Sequence, residues 1–203
     1  MLRIVLTGPE STGKSTLSAA LAEHYDMPYA KEFARYYLEA KMNARNDEKS
    51  SENSDLYDET DLFEMFLGQI NAEVGAVKQS IAQQKNQLLI CDTDVLTYQI
   101  WSEEVFKRLS PKLSNAIKKN IKTTDNQNVM SMYFLCSPEG IAWEYDPLRE
   151  NPTDRDRLFL VYEKTLQLYK KNYKILRGSH KERLKQVVTE IENFTQKQAQ
   201  LIG

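Results

Sequence analysis

Five short apolar runs alternate along the chain with longer stretches in which apolar residues recur at helical spacing. The five runs are Arg3–Thr7, Pro28–Phe33, Gln87–Asp92, Ser131–Cys136 and Tyr173–Leu176. A continuous apolar run of this length is typical of a strand that is buried on both faces. Such strands favour a parallel sheet when helices alternate with them, because a crossover helix joins each pair of parallel strands. The pattern therefore predicts an α/β fold with a central parallel sheet of about five strands and helices on both faces.

The periodic stretches between the runs predict the helices. One has apolar residues at Phe63, Phe66, Leu67, Ile70, Val74, Val77 and Ile81, and the last has them at Leu184, Val187, Val188, Ile191 and Phe194. The segment from Val105 to Ile121 is expected to break into two helices at Ser110–Pro111, because proline lacks the N–H donor that a helix interior needs. Residues 43–60 are polar and charged, which predicts a flexible surface loop within a single domain spanning residues 1–203.

A glycine-rich segment, Gly8–Thr16, lies between the first predicted strand and the first predicted helix. Its sequence, GPESTGKST, fits the phosphate-loop pattern of a glycine, four residues and Gly-Lys-Ser. Gly8 and Gly13 allow backbone N–H groups to converge on phosphate oxygens. Lys14 is expected to reach the β- and γ-phosphates, and the Ser15 hydroxyl to ligate Mg²⁺. The sequence thus predicts ATP and Mg²⁺ as cofactors, bound by Gly8, Pro9, Glu10, Ser11, Thr12, Gly13, Lys14, Ser15 and Thr16; a glycine-rich turn without a ligand is the alternative.

Carboxylates follow two of the predicted strands. Asp92 ends the third run, beside the phosphate-loop strand, where a carboxylate is expected to help hold Mg²⁺. Asp94, two residues on, is a candidate catalytic base or substrate ligand, and N-capping of the next helix is the alternative. Glu32, at the end of the second run, is the other candidate base or substrate ligand. Arg35 is either a second substrate ligand or the ion-pair partner of Glu32.

An arginine-rich segment, Arg149-Glu-Asn-Pro-Thr-Asp-Arg-Asp-Arg157, lies late in the chain. In small phosphate-loop kinases a segment of this kind is a lid that closes over the phosphates and excludes water. We expect a lid over about residues 140–157. Within it, Arg149 and Arg155 are predicted to stabilise the transferred phosphoryl group, and Arg157 to contact the nucleotide. An exposed charged loop before a helix is the alternative explanation.

Two other classes of phosphate-loop protein fit the sequence less well. The guanine-reading motif of switch GTPases, Asn/Thr-Lys-x-Asp, does not occur, since the stretch Thr123-Thr124-Asp125 lacks the lysine. An oligomeric ATPase motor of the AAA type is usually longer and carries sensor arginines and a helical lid domain after the sheet. The sequence therefore favours a small kinase.

Four segments, in this order and spacing, resemble the ribosylnicotinamide kinase domain of bacterial NadR-type proteins. They are GPESTGKST at 8–16, Glu32-Phe-Ala-Arg35, Cys-Asp92-Thr-Asp94 and Trp143-Glu-Tyr-Asp146-Pro-Leu-Arg149. The resemblance covers nearly the whole chain and implies ATP-dependent phosphorylation of the 5′-hydroxyl of nicotinamide riboside, giving nicotinamide mononucleotide. It also implies that Trp143 stacks on the nicotinamide ring and that Asp146 lies close to the substrate or lid. A cationic, planar ring suits an aromatic face, and plain packing of Trp143 is the alternative.

Composition narrows the class of partner. A net charge of −2 and a pI near 5.8 give no overall attraction to nucleic acid or to an anionic membrane, so we expect a small-molecule substrate. Cys91 and Cys136 lie in apolar runs without CxxC spacing, which predicts buried free thiols. The sequence has no apolar stretch of membrane-spanning length and no signal peptide, so a cytoplasmic protein is expected.

Three functions remain open from the sequence: a nicotinamide riboside kinase, a kinase of another nucleoside or cofactor precursor, and an ATP-binding regulatory module. Only two histidines occur, so the HxGH motif of nucleotidylyl transfer is missing. Little chain precedes Leu2 to form a DNA-reading module. We therefore expect the kinase activity alone.

Overall fold

The computed structural model describes residues 1–48, 56–85, 88–127, 129–149 and 153–202. Its elements, in chain order, are β1 (Leu2–Thr7), α1 (Lys14–His24), β2 (Tyr29–Ala30), α2 (Phe33–Glu48), α3 (Glu59–Ala82), β3 (Leu88–Asp92), α4 (Val95–Val105), α5 (Pro111–Asn126), β4 (Met130–Cys136), α6 (Arg155–Leu168), β5 (Tyr173–Leu176) and α7 (His180–Ile202). The strands form one parallel sheet in the order β2-β3-β1-β4-β5. The predicted α/β fold with a five-stranded parallel sheet is confirmed.

Alternating side chains of the strands enter two separate apolar cores. On β1, Ile4 and Leu6 pack with Leu21 of α1 and Val187 of α7. Val5 belongs to the core on the opposite face, which α2 to α6 cover. Burial on both faces explains why the strands are continuous apolar runs in the sequence.

The central position of β1 determines where a ligand can bind. β1 lies between β3 and β4, so the connections on its two sides run in opposite directions. In open α/β sheets, ligands bind at the carboxyl ends of the strands beside such a switch point. The phosphate loop follows β1, and Asp92 at the end of β3 is in register with Leu6 of β1. The loop and this carboxylate therefore lie at the same edge of the sheet.

The second predicted strand is wrong in extent. β2 consists only of Tyr29 and Ala30, and α2 already begins at Phe33. The Phe33 N–H donates to the side-chain oxygen of Gln69 in α3 at 2.9 Å, and the Phe33 ring occupies the space where a Cβ of Gly68 would lie. These contacts with α3 fix the start of the helix, so Glu32 lies in the turn before α2 and not in a strand.

The predicted loop at 43–60 is wrong at both ends. α2 continues to Glu48, and α3 begins directly after Asp58. The Asp58 carboxylate accepts from the backbone N–H of Asp61, while the Asp61 carboxylate accepts from the N–H of Asp58. This reciprocal capping box stabilises the start of α3. Residues 49–55 of the predicted loop lie outside the described residues.

The predicted break between two helices is right at one end only. α5 begins with Pro111, as the proline predicts, but α4 already ends at Val105, so residues 106–110 connect the two helices. Cys91 and Cys136 are buried free thiols. Within the described ranges of the chain, no helix combines the length and the hydropathy that crossing a bilayer requires.

Candidate active site

The phosphate loop turns around two glycines in backbone conformations that L side chains rarely adopt. Gly8 has a φ of +134°, and a Cβ there would lie 2.8 Å from the carbonyl oxygen of Cys136. Gly13 has a φ of +78° and immediately precedes α1. Glycine at both positions lets the loop close tightly around the start of α1, where N–H groups and the helix dipole favour an anion. The loop therefore fits the phosphates of a nucleotide.

Lys14 and Arg183 hold carbonyl groups of this loop. Lys14 Nζ donates to the Pro9 carbonyl oxygen at 2.7 Å. The buried Arg183 guanidinium donates to the carbonyl oxygens of Thr12 at 3.1 Å and Ser137 at 2.8 Å. Arg183 thus ties the phosphate loop to the end of β4, and the Lys14 ammonium lies within the loop, where a phosphate oxygen can replace the Pro9 carbonyl.

Asp92 is buried at the end of β3 beside the phosphate loop, with 3% of its surface exposed. Its Oδ1 has no hydrogen-bond partner among the described residues. Burial and the negative charge of Glu32 raise the pKa of Asp92 to about 6, against the opposing effects of the Ser15 hydroxyl and Lys14. A buried carboxylate oxygen without a partner fits a cation ligand, so Ser15 and Asp92 would hold Mg²⁺ together with phosphate oxygens.

No group of three or more His, Cys, Asp or Glu side chains within the described ranges could hold a metal ion. The candidate Mg²⁺ site at Ser15 and Asp92 is therefore incomplete without a nucleotide. This is the expected arrangement where the ion arrives with the phosphates, since Mg²⁺ commonly takes one or two protein ligands and completes its shell with substrate oxygens and water.

Asp94 is part of a buried network and does not line the cavity at the phosphate loop. Its Oδ1 accepts from the Leu96 N–H at 3.1 Å, which caps α4. Its Oδ2 accepts from the Tyr133 hydroxyl at 2.6 Å and lies 3.6 Å from Arg3 Nη1. The prediction that Asp94 is the base or a substrate ligand is therefore corrected, because its oxygens bind the core. The N-capping alternative is the one the structure shows.

Thr93 separates the two carboxylates through an unusual backbone conformation. Its φ is +73°, in the left-handed region that β-branched residues rarely occupy. The Thr93 N–H donates to the Leu6 carbonyl oxygen at 2.9 Å, which fixes the turn against β1. Strain of this kind persists only where the surroundings enforce it. The turn directs Asp92 to the phosphate loop and Asp94 to the core.

Residues of the predicted lid dock on Ser11 of the phosphate loop. The Ser11 hydroxyl accepts from the Glu144 N–H at 3.0 Å and from Arg149 Nη1 at 3.4 Å, and it lies 3.4 Å from the Ala142 carbonyl oxygen, to which it donates. Arg155 Nη1 donates to the Ser11 carbonyl oxygen at 3.0 Å. The structure therefore brings Arg149 and Arg155 to the phosphate loop, where positive charge can act on a phosphoryl group.

The end of the predicted lid and Arg157 need correction. Residues 155–157 form the first turn of α6, and residues 150–152 lie outside the described residues. Arg157 donates to the carboxylates of Glu104 and Asp154, at 2.6 Å for Glu104, and these two bonds raise its pKa. Arg157 lines a neighbouring cavity, not the one at the phosphate loop. The prediction that it contacts the nucleotide is not supported by this position.

Trp143 lies inside the lid and not on the wall of the main cavity. The guanidinium carbon of Arg155 is 5.7 Å from the centre of its ring, a cation–π contact. The stacking of Trp143 on a substrate ring stays a prediction; in this structure the Trp143 ring contacts Arg155 and does not line the cavity. The contact helps to hold Arg155 beside Ser11.

Arg35 of α2 and Asp146 of the predicted lid form an ion pair across the site. Arg35 Nη2 donates to Asp146 Oδ2 at 2.5 Å and also pairs with Glu39. Burial acts to raise the pKa of Asp146, but hydrogen bonds from the Leu148 N–H and from Arg35 lower it overall. The hydrogen bonds of Arg35 within the described part of the chain are to Asp146 and Glu39, so the alternative of an Arg35–Glu32 pair is not found. Asp146 thus lies at the lid, as the resemblance implied.

A cavity of about 330 Å³ extends from the phosphate loop beneath the lid. The phosphate loop forms one side. The opposite wall and the roof are formed by Glu32, Arg35, Leu38, Thr93, Trp101, Tyr162, Ile141, Glu144, Asp146, Leu148 and Arg149. A second cavity of about 200 Å³ adjoins it and shares Glu10, Leu38, Trp101, Leu148 and Tyr162. A volume of this order suits a small molecule bound next to a nucleotide.

Trp101 and Tyr162 are the wall residues that the sequence interpretation missed. Trp101 follows Asp94 by seven residues, which is two helical turns. This spacing puts it on the same face of α4 as Asp94, so the sequence could have predicted its position near the end of β3. Tyr162 had no such signal, because only the packing of α6 against α4 brings it to the cavity. Burial raises the pKa of the Tyr162 phenol, so it remains protonated and can act as a hydrogen-bond donor.

The sequence matches the profile of a family described as AAA domain over residues 3–183. The chain belongs to this AAA domain family. Comparison with curated protein sequences gives no match. The phosphate loop, the strand-end carboxylate Asp92 and the lid arginines all fall within the matched residues.

Two sets of solved structures share the fold. NadR protein in complex with NR, and NadR protein in complex with NAD and AMP-PNP, each align with a TM-score of 0.65 and 20% identity over 95% of this chain. The chain spans about half of each NadR chain, 50% and 49%. Deoxyadenosine kinase from M. mycoides with bound dATP aligns with a TM-score of 0.54 and 14% identity, covering 94% of this chain and 99% of the kinase. The fold is therefore that of α/β phosphate-loop kinases.

Proposed function

We propose that this protein is an ATP-dependent kinase of a small nucleoside, with nicotinamide riboside as the acceptor. The observation that carries the proposal is the cavity that continues from the phosphate loop to the wall formed by Trp101 and Tyr162. A module that only binds or hydrolyses ATP needs the phosphate loop, but it needs no space for a second small molecule. A kinase needs both, with the acceptor hydroxyl close to the γ-phosphate.

The phosphate side of the site has the charges that phosphoryl transfer requires. Lys14 would hold the β- and γ-phosphates, and Ser15 and Asp92 would hold Mg²⁺, which neutralises phosphate charge when bound. Arg149 and Arg155 are already beside Ser11, where they would stabilise the charge that develops on the moving phosphoryl group. The same lid would exclude water, which otherwise competes with the acceptor.

Glu32 is the carboxylate best placed to act as the general base. It lines the cavity in the turn before α2, whereas the Asp94 oxygens are bound in the core. The acceptor hydroxyl oxygen forms a bond to the γ-phosphorus while the bond from that phosphorus to the β–γ bridging oxygen breaks. The hydroxyl proton passes to Glu32, and ADP leaves with the electron pair of the broken bond.

Nicotinamide riboside suits the acceptor side of the cavity. Trp101 adds an aromatic ring to the lining, and Glu10, Glu32, Glu144 and Asp146 add carboxylates beside the cations Lys14, Arg35 and Arg149. An aromatic face and negative charge both favour a planar cation such as the nicotinamide ring. The sequence resemblance to ribosylnicotinamide kinase domains and the shared fold with NadR protein in complex with NR support this choice.

The proposal is tested by measuring ADP release with and without acceptor. We expect release to increase strongly with nicotinamide riboside and the product mass to correspond to its monophosphate. Adenosine, cytidine and nicotinic acid riboside form the comparison panel, and Lys14→Ala is the inactive control. A stronger response to another nucleoside would keep the kinase and replace the acceptor. ADP release that no acceptor changes would favour the ATP-binding regulatory module.

A further inference from the structure

One face of α3 presents exposed side chains in a symmetrical order. Glu64, Leu67, Asn71, Val74 and Lys78 follow one another at spacings of three and four residues, and all five are exposed. This spacing places them in one row along the helix. We call the row the α3 ridge. From end to end it reads acidic, apolar, amide, apolar and basic.

Three apolar residues on this face of α3 are exposed. Leu67 is 38% exposed and Val74 is 46% exposed, and Ile81 continues the row at 58%. Single exposed apolar residues are common on protein surfaces, so it is their place in one row with complementary charges at its ends that points to an interaction site. The opposite face of α3 is firmly buried through Met65 and Phe66, so the helix presents the ridge on a rigid support.

The order of the ridge is complementary to itself when reversed. Glu64 and Lys78 lie seven residues on either side of Asn71, and Leu67 and Val74 lie four and three residues from it. In an antiparallel pair of α3 helices with a two-fold axis at Asn71, Glu64 therefore lies opposite Lys78 of the partner subunit. Leu67 then lies opposite Val74 of the partner subunit. The charged pairs are centred on Asn71, and the apolar pairs are centred within half a residue of it.

We propose that the α3 ridge is the interface of a homodimer in which two copies pack antiparallel about a two-fold axis at Asn71. A two-fold interface uses the same patch on both subunits, so the patch must complement itself, as this one does. An amide is both donor and acceptor, so the two Asn71 side chains can bond to each other and fix the register. A parallel pair would instead bring like charges to the same level at both ends of the ridge, which is unfavourable.

Close approach of the two helices is also possible at this place. Gly75 follows Val74, and a Cβ built on Gly75 meets no atom within 4 Å. The absence of a side chain there leaves room for the backbone of the second helix to approach. Partly buried Ile70 and Val77 extend the apolar surface along one flank of the ridge. The proposed interface therefore has an apolar centre and charged ends, the common arrangement in protein interfaces.

Charge reversal tests both the surface and its orientation. Sedimentation velocity over a concentration series would compare the wild type with Glu64→Lys, Lys78→Glu and the double variant. We expect a concentration-dependent dimer in the wild type and at least tenfold weaker association in each single variant. The double variant should return to within a few-fold of the wild type, because reversing both charges restores the pairs. Leu168→Glu, which changes an apolar residue of α6 that is 70% exposed, is the matched control and should leave association unchanged.

Three results would overturn the proposal. The first is a wild-type protein that stays monomeric throughout the series. The second is a dimer that neither single charge reversal weakens, which would place the interface elsewhere. The third is a double variant that associates no better than the single ones, which would exclude the antiparallel register. Melting temperatures of all variants control for folding, and none of these measurements depends on the acceptor or on kinase activity.

Discussion

The phenol of Tyr133 donates a hydrogen bond of 2.6 Å to the carboxylate of Asp94, and both side chains are buried beneath the candidate active site. Burial and the charge of Asp94 raise the pKa of the phenol, so it is protonated and donates at neutral pH. Arg3, which is bound to Glu73 of α3, lies 3.6 Å from the same carboxylate oxygen and donates to the Tyr133 hydroxyl at 3.4 Å. Asp94 is thus a structural anchor for the turn that carries Asp92.

Removing the hydrogen bond between Tyr133 and Asp94 should lower the stability of the protein more than its turnover. We expect Tyr133→Phe to lower the free energy of unfolding by about 1.5–3 kcal/mol, the usual cost of losing a hydrogen bond to a buried charged group. Urea denaturation of wild type and variant measures this. Asp94→Asn should also melt earlier than the wild type, because it loses the ionic acceptor. An Asp94→Asn protein with unchanged stability and no turnover would instead return Asp94 to the role of catalytic base.

The raised pKa of Asp92 makes the stability of the nucleotide-free, metal-free protein depend on pH. Between its ordinary value near 3.8 and about 6, the folded state holds a proton on Asp92 that the unfolded state has lost. Stability should therefore fall as pH rises through this window, by roughly 3 kcal/mol in total. Asp92→Asn should remove this pH-dependent part of the free energy of unfolding. The variant should therefore be more stable than the wild type above pH 6 and similar to it below pH 4. Chemical denaturation of both proteins at each pH measures the difference. If the free energy of unfolding changed with pH equally in the two proteins, the raised pKa of Asp92 would be contradicted.

Lys14→Ala is expected to lose at least about 10²-fold in turnover, because one preorganised charge on the β- and γ-phosphates is removed. Coupled-enzyme detection of ADP measures the loss. The melting temperature should stay close to that of the wild type, since Lys14 Nζ donates to the Pro9 carbonyl of its own loop and not to another element of the fold. Turnover within a few-fold of the wild type would argue against the phosphate loop as the catalytic nucleotide site.

The two tryptophans of the chain give a matched pair of variants. Trp101→Leu keeps an apolar side chain in the wall but removes the aromatic face, so the acceptor KM should rise about tenfold with little change in the KM for ATP. Trp143→Leu removes the contact with Arg155 in the lid and should lower kcat while leaving the acceptor KM within about twofold. Steady-state kinetics of both variants decide between the two positions. An acceptor KM that responds to Trp143 and not to Trp101 would restore the stacking role first assigned to Trp143.

Ser11 gives a test of the lid. Ser11→Gly removes the hydroxyl that binds Glu144 and Arg149 and still tolerates the positive φ of +53°. We expect a several-fold higher ratio of ATP hydrolysis to acceptor phosphorylation, because a loosened lid admits water. Ser11→Asn, which keeps a hydrogen-bonding side chain at a residue type that accepts this backbone region, is the control and should stay nearer the wild type. No change in the ratio for Ser11→Gly would show that the lid closes without this contact.

The sequence predicted those parts of the molecule that local pattern determines. β1, β3 and most of β4 are buried on both faces, so each is a visible apolar run, and the glycines of the phosphate loop are required by its own backbone. β5 is an edge strand in which Lys174 is exposed. β2 pairs with β3 over only two residues, because contacts between Phe33 and α3 start the next helix soon after it. Contacts between segments that are distant along the chain cannot be predicted from a local pattern.

The directions of side chains in the site were harder to predict. Asp92 and Asp94 are the same residue type, so the sequence does not show that their side chains point in different directions. The left-handed turn at Thr93 directs Asp92 to the phosphate loop and Asp94 to the core. The positions of Trp143 and Arg157 follow from their contacts with Arg155 and with Glu104. Each depends on packing between segments that are distant along the chain, so spacing alone does not determine them.

The two apolar cores on opposite faces of the sheet support different parts of the site. The phosphate loop leads into α1, and α7 supplies Arg183 to the Thr12 carbonyl, whereas Leu38 of α2, Trp101 of α4 and Tyr162 of α6, on the other face, line the cavity at the proposed acceptor position. A substitution in the acceptor wall therefore repacks one core and leaves the other, which supports the phosphate loop, undisturbed. A protein built in this way can acquire a new acceptor during evolution without losing its phosphate donor.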